Sequence, residues 1–252
     1  METRPIVLIL GAYNMPYATP SFFSQLIRDL RARIKKKIFK NYEEPWMKMR
    51  ELDVIREVLS NLQPKRCLEW GSGYSSVYFP AIQSSIQEWH AIEHHAGWSE
   101  IVRNKIKDNK IHLYAVPPND PDYFKFKGRY GPKLEGSYED FKSYIEKPLS
   151  LGGKFDFIFI DGRARKDCLK LAFDLVSDDG VVIVHDANRD LYFADIPPFK
   201  SYIRFTDFRQ HRKEGGIWIG RKSKEVSEVL NLNAHQDLWR SHNLLAKVFF
   251  LR

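Results

Sequence analysis

The chain has very little cysteine: Cys67 and Cys168 alone among 252 residues. Two thiols, each set among apolar residues, make neither a disulfide framework nor a zinc box, so both are expected as reduced core thiols. Long apolar runs are also missing. The longest, Ile6 to Leu10 with its neighbours, is far short of the roughly 20 residues that span a bilayer. It follows a single arginine, and no small-residue cleavage pattern comes after it, which disfavours a secretory leader and points to a cytoplasmic protein. Neither internal repeats nor low-complexity segments occur. A chain that is 43% hydrophobic at this length is expected to form one domain with extensions.

Negative charge is in deficit, with 32 Asp and Glu against 40 Lys and Arg and a net charge of +8. Such a surplus suits anionic lipid, nucleic acid or an anionic substrate as partner. Its distribution is more specific. RDLRARIKKKIFK, residues 28 to 40, is strongly basic, while Leu26, Leu30, Ile34 and Ile38 recur at helical spacing. The segment reads as a basic amphipathic helix. Either its apolar stripe packs on the main domain and its charges are merely solvated, or it is a patch for anionic lipid, glycolipid or nucleic acid. The second reading would bring the protein to a membrane surface.

Three regions follow from the pattern: an N-terminal extension over 1–50, a main domain over 51–223 and a helical extension over 224–252. After Pro45, WMKMRELDVIREVLSNL predicts an amphipathic helix ending before Gln63 and Pro64. Strands are then expected at Arg66 to Trp70, Gln87 to Glu93, Ile111 to Val116, Phe155 to Asp161 and Val181 to Asp186. Helices alternate with them at Ser75 to Gln83, Trp98 to Lys107, Tyr138 to Glu146 and Arg165 to Val176. This alternation predicts an α/β fold, a doubly wound and mostly parallel sheet covered on both faces. KSYIRFTDFRQ and GGIWIGRK, separated by HRKE, add an antiparallel hairpin that closes the sheet. The C-terminal Val248, Phe249, Phe250 and Leu251 are expected to cover the core or to join a homo-oligomer interface.

The most informative stretch is CLEWGSGYSS, residues 67 to 76. A strand runs into Gly71 and Gly73 and a helix follows, the arrangement that lets a backbone approach a nucleotide closely. A third glycine is lacking and Ser75 stands in its place, either donating to a ligand carboxylate or capping the helix. Glu69 separates the candidate ligands. A carboxylate beside the loop would oppose the pyrophosphate of a dinucleotide, whereas S-adenosylmethionine brings a sulfonium and an ammonium. Glu93, at the end of the next strand, is placed to accept ribose hydroxyls.

LEWGSGYSS, then AIE, then FDFIFIDGRAR, then DGVVIVHD resemble, in order and spacing, the motifs of class I (Rossmann-like) S-adenosylmethionine-dependent methyltransferases, over about residues 50 to 222. The resemblance implies that Glu69, Gly71 and Gly73 surround the methionine end of the cofactor, with Ser75 in the same loop. It also implies that Glu93 binds the ribose and that His94, with His95 beside it, lies near the adenine. On this reading Glu69→Lys should abolish cofactor binding with the fold intact. IDGRAR and VHDAN resemble the corresponding segments of metal-dependent O-methyltransferases, although here His185 precedes Asp186.

Two mechanisms fit these rims, which lie where ligands bind in open α/β sheets. In one, His185 is a general base oriented by Asp161 or Asp186. In the other, Asp161, Asp186 and Asn188 hold a magnesium-like divalent cation that acidifies the acceptor hydroxyl. Arg163 and Arg165 would recognise a carboxylate, phosphate or sulfate. The long connection after the third strand places Tyr123, Phe124, Phe126 and Tyr130 among Lys125, Lys127 and Arg129, a composition suited to a sugar or aromatic acceptor with an anionic group. The expected activity is methyl transfer to a hydroxyl of a small or glycan-like acceptor. An RNA methyltransferase is the alternative, and a non-catalytic nucleotide-binding or membrane-associated module is a third. Base-amine methylation is disfavoured because Asp-Gly-Arg-Ala stands where an Asn-Pro-Pro-Tyr-like tetrapeptide would be needed. Polyamine synthesis is disfavoured because a basic protein suits a polycationic substrate poorly.

Overall fold

The structure, a computed structural model, describes residues 17–38, 44–123, 135–208 and 214–250. The apolar run at Ile6, the basic end of the first helix at Lys40, the loop residues Phe124 to Tyr130, most of HRKE and Leu251 lie outside the described residues. The elements are α1 Phe22–Ile38, α2 Met49–Leu62, β1 Arg66–Trp70, α3 Tyr74–Ile82, β2 Glu88–Glu93, α4 Ala96–Arg103 and β3 Ile111–Ala115. They continue as α5 Tyr138–Glu146, β4 Phe155–Ile160, α6 Arg165–Leu175, β5 Val176–His185, β6 Ser201–Phe205, β7 Ile217–Arg221 and α7 Leu232–Phe250.

One sheet has the order β3-β2-β1-β4-β5-β7-β6. The first five strands are parallel, and β7 runs antiparallel to both β5 and β6. Alternate residues of β4 and β5 face opposite sides. Phe157, Phe159, Val181 and Ile183 join a core roofed by α2, α3 and α7, while Ile158, Ile160, Val182 and Val184 join one under α5 and α6. Burial on both faces is why these strands read as unbroken apolar runs. Cys67 and Cys168 are buried free thiols, one in each core.

β1 and α5 have the predicted bounds, and most other boundaries move by one to four residues. The largest difference is β5, which starts five residues before Val181, with a register irregularity against β4 between Phe155 and Phe157. Val176 leaves α6 directly in extended conformation, so no loop separates the two elements.

The first helix departs from the expectation that its apolar stripe packs on the domain. Its inward groups are mostly polar: Gln25 is fully buried, Arg28 pairs with Asp53, and Asp29 accepts the Met49 amide at 3.0 Å. Leu26, Ile27, Leu30 and Ile34 face outward. α2 supplies what the inner face needs, because its acids are buried: Asp53 binds Gln25 at 2.6 Å, and Glu57 binds His235 of α7 at 2.9 Å. In α7, Leu238 and Trp239 are buried, whereas Val248 is exposed and does not cover the core.

Candidate functional site

Gly71 ends β1 at a φ of +93°, and its backbone passes against that of Gly162 after β4. A Cβ on either glycine would clash, on Gly71 with the Gly162 backbone and on Gly162 with the Tyr144 hydroxyl. The two turns are tied at their bases, with Gly71 N donating to Ile92 O and Asp161 N donating to Trp70 O, each at 2.8 Å. Asp-Gly in IDGRAR is therefore a close-approach glycine rather than an ordinary turn. Gly73 is extended and uncrowded, so the backbone does not demand glycine there. It lines a cleft, and clearance for a ligand is the reason that remains.

That cleft has a volume of about 520 Å³, within the range of small-molecule sites. Gly71 to Ser75, Glu93 to His95, Asp161 to Arg163 and Arg165 wall it, together with Trp46, Met47 and Trp98. Glu93 is nearly fully buried. Its Oε1 accepts the His95 amide at 2.8 Å and its Oε2 accepts the Ser72 hydroxyl at 3.2 Å. His94 Nδ1 lies 3.0 Å from Glu93, and its ring meets Phe141 and Tyr144 edge-on. His95 caps α4, its Nδ1 accepting the Trp98 amide at 3.1 Å. The Trp98 indole donates to Ser72 O at 2.7 Å and so fixes the glycine loop from outside.

Glu69 lies beneath the loop, not in the cleft. It is fully buried and accepts three donors: Ser75 Oγ at 2.5 Å, Ser76 Oγ at 2.5 Å and Trp89 Nε1 at 2.8 Å. Burial raises its pKa to about 7, outweighing those hydrogen bonds. Glu69 thus faces the first turn of α3 and not the cleft where the methionine end was expected. Ser75 spends its hydroxyl on Glu69 rather than on a ligand. Glu69→Lys would bury an ammonium against three hydrogen-bond donors, so the fold would not stay intact.

The opposite wall is an ionic cluster. His185, at the tip of β5, is 5% exposed, with Nδ1 2.9 Å from Asp161 Oδ1 and Nε2 3.3 Å from Glu51 Oε2. Burial opposes its charge, but Asp161 and Asp186, with the hydrogen bonds to Asp161 and Glu51, push its pKa well above the imidazole range. Burial likewise opposes the charge of Glu51, and His185, Lys48 and Arg50 overcome it, lowering that carboxyl to about 2. Both nitrogens of His185 thus face carboxylates, which favour its charged form. A general base needs a free nitrogen, which His185 does not have.

Arg165 is also spent inside the protein. It donates to Gly162 O at 2.9 Å, to Asp161 O at 3.2 Å and to His185 O, and it stacks over Tyr192. Arg163 differs: it lines the cleft, and among the described residues no carboxylate pairs with it. Asp161 is the most exposed carboxylate of the cluster, at 26% against 19% for Asp186, and its Oδ2 accepts no hydrogen bond among the described residues.

Asp161, His185 and Asp186 bring donor atoms within 4.8 Å of one another. They do not fit magnesium, which demands near-octahedral oxygen ligation. Arg165 already stands 3.3 Å from Asp161 and 3.4 Å from Asp186, and both ring nitrogens of His185 already face carboxylates. Asn188 is turned away, its Nδ2 donating to Glu214 O at 2.8 Å and its Oδ1 accepting the Asp207 amide at 3.0 Å. The expected metal set is not assembled.

Sequence reasoning missed Trp46, Tyr74 and Trp98, whose ring centroids lie 5.8 to 6.3 Å apart over the mouth of the cleft. It also missed Glu51, which sits 134 residues from His185 along the chain. Nothing local signals either set, because each is assembled from separate elements.

No protein-family model matches the chain, and no curated protein matches it in sequence. Solved structures do resemble it. A Staphylococcus aureus protein described as a caffeoyl-CoA O-methyltransferase is 16% identical with a TM-score of 0.53, over 81% of this chain and all of that one. An O-methyltransferase from Bacillus cereus in complex with SAH is 16% identical with a TM-score of 0.51, over 86% and 94%. A spermidine synthase bound to the transition-state analogue AdoDATO is 13% identical with a TM-score of 0.50, over 81% and 74%. The fold is thus the Rossmann-like one of class I methyltransferases, here with an antiparallel closing hairpin. It also holds aminopropyl transfer, so the reaction must be argued from the cleft.

Proposed function

We propose that the protein is an S-adenosylmethionine-dependent O-methyltransferase acting on a small or glycan-like hydroxyl acceptor that carries an anionic group. The observation that carries this reading is one cleft where the Gly71–Gly73 turn, Glu93 and the Asp161–Arg163 turn meet. Glu93 offers its carboxylate to the ribose diol, the glycine turn gives clearance for the methionine end, and Trp98 with Trp46 and Tyr74 offers flat apolar faces to the base. The acceptor lies against Asp161 and Arg163. Its hydroxyl donates to Asp161, and its anionic group pairs with Arg163, the rim arginine that has no carboxylate partner among the described residues. A polycationic amine acceptor would meet Arg163 as a like charge, which favours methyl over aminopropyl transfer.

In the reaction the acceptor oxygen forms the new C–O bond as the C–S bond breaks. The electron pair returns to sulfur, neutralising the sulfonium, and the hydroxyl proton passes to Asp161. His185 holds the Asp161 carboxylate in place through Oδ1, leaving Oδ2 for the acceptor. Calorimetry with S-adenosylmethionine, S-adenosylhomocysteine and NAD, followed by transfer of labelled methyl to acceptor pools, tests this. Binding of the first two but not NAD is expected. Asp161→Asn should keep S-adenosylhomocysteine affinity and lower turnover by about 10²- to 10⁴-fold. Absence of S-adenosylmethionine binding, or full turnover by Asp161→Asn, would sink the reading. Because the donor set does not suit magnesium, EDTA should leave turnover unchanged; a loss restored by magnesium would contradict this.

A further inference from the structure

The surface of α1 runs against the usual logic of an amphipathic helix, which turns its apolar stripe to the core. Here the polar side is inward: Gln25 is fully buried between Asp53, at 2.6 Å, and His242 of α7, at 3.0 Å. Arg28 pairs with Asp53, and Asp29 caps the start of α2. Apart from Ala32, packed on the core, and Phe22, against the His242 ring, the apolar side chains described are left outside, from Leu26 at 36% exposed, through Ile34, Ile27 and Leu30, to Phe23 at 73%. At 3.6 residues per turn, positions 23, 27, 30 and 34 form one stripe along the outer face. α7, which meets α1 at His242, leaves Leu244 and Val248 exposed as well.

Positive charge flanks this stripe. Arg31 and Lys35 are exposed and fall on one side of it by helical geometry, and the α1 sequence carries Arg33, Lys36 and Lys37 besides. With Arg28 and Asp29 turned inward, no acid of α1 faces outward. An apolar stripe beside a basic rim, on a strongly basic helix, is complementary to an anionic lipid interface, where apolar side chains enter the acyl boundary and lysines meet the headgroups. A second copy fits less well, because an isologous interface would set the basic rims of two α1 helices together. Nucleic acid would use the rims and leave the stripe in water.

We infer that α1 is an interfacial helix that docks the protein on anionic membrane surfaces through Phe23, Ile27, Leu30 and Ile34. The inference is independent of the reaction proposed for the cleft. It is tested by co-sedimentation of the full chain with vesicles of phosphatidylcholine alone and of phosphatidylcholine mixed with phosphatidylserine, at low and high salt. Binding to the mixed vesicles is expected, much weaker to the neutral ones and reduced by salt. Leu30→Asp and the pair Arg31→Glu, Lys35→Glu should each weaken it by about tenfold or more. These are exposed positions, and an unchanged circular dichroism spectrum and melting curve will show the variants folded. No binding to anionic vesicles, or binding indifferent to these substitutions, overturns the inference. So does a concentration-dependent dimer that forms without lipid and is abolished by Leu30→Asp, which would assign the stripe to a second copy. Retention on a single-stranded RNA homopolymer, lost in the Arg31 and Lys35 variant while vesicles are ignored, overturns it as well.

Discussion

Glu69 carries an unusual energetic load for one carboxyl. In the unfolded chain it titrates near 4.5, whereas burial raises it to about 7 in the fold despite hydrogen bonds from Ser75, Ser76 and Trp89. The native state therefore holds this proton more tightly than the unfolded state does. Between about pH 4.5 and 7 its contribution falls as pH rises, by roughly 3 kcal/mol at most. Glu69→Gln keeps an acceptor for the donors around it and cannot ionise, so its unfolding free energy should lack this decline. Urea titrations of both proteins across the window will measure the difference, and parallel curves would show that Glu69 is not a proton-holding group. The carboxylate at this position was legible in the sequence, as was its place before a glycine turn. Its direction was not: Glu69 was expected to meet a cofactor charge, and the geometry turns it toward two serines and an indole. Residue type and spacing report which groups gather, while side-chain direction depends on partners from other elements, here Trp89 of β2.

Among the elements, α2 shows the same limit on a larger scale. MRELDVIREVLSNL reads as an amphipathic helix, and its acids Glu51, Asp53 and Glu57 are all buried. Each bolts a different part of the molecule to the sheet: Glu51 the β5 tip through His185, Asp53 the helix α1, and Glu57 the helix α7. Periodicity marks one apolar face, and it is silent about acids whose partners come from the chain's distant ends. The parallel strands were legible for the opposite reason, since double burial writes itself as continuous apolar sequence. Asp53→Ala would leave Gln25 and Arg28 without their shared acceptor, a loss of about 1–3 kcal/mol for each buried group left unpaired. α1 should then open locally, and its amides over residues 22–38 should exchange at least about tenfold faster, while β1, β4 and β5 keep their protection. Uniform acceleration across the sheet would mean instead that α1 is part of the global cooperative unit.

At the scale of the whole molecule, the sheet order places the chemistry. β1 is the point where the order reverses, with β2 and β3 on one side and β4 and β5 on the other, and such a switch point opens a crevice at the carboxyl ends of the strands. Every cleft residue from β1, β2 and β4 lies on that edge, and the cluster of Asp161, His185 and Asp186 closes it toward β5. Trp46 and Met47, which precede α2, reach the same edge, so the cleft is completed by residues outside the alternation of strands and helices. A ligand held by both parts should stabilise the fold as one unit. With S-adenosylhomocysteine at about a hundred times its dissociation constant, linkage contributes roughly 2.7 kcal/mol. For a chain of this size that corresponds to a rise in melting temperature of about 5–10 °C. Differential scanning fluorimetry with S-adenosylhomocysteine, and with NAD as the comparison, measures it. Trp46→Ala, an exposed position, should reduce the rise without altering the melting temperature of the free protein. An equal rise with NAD would return the glycine turn to a dinucleotide, and an unchanged rise in Trp46→Ala would confine the binding site to the sheet edge alone.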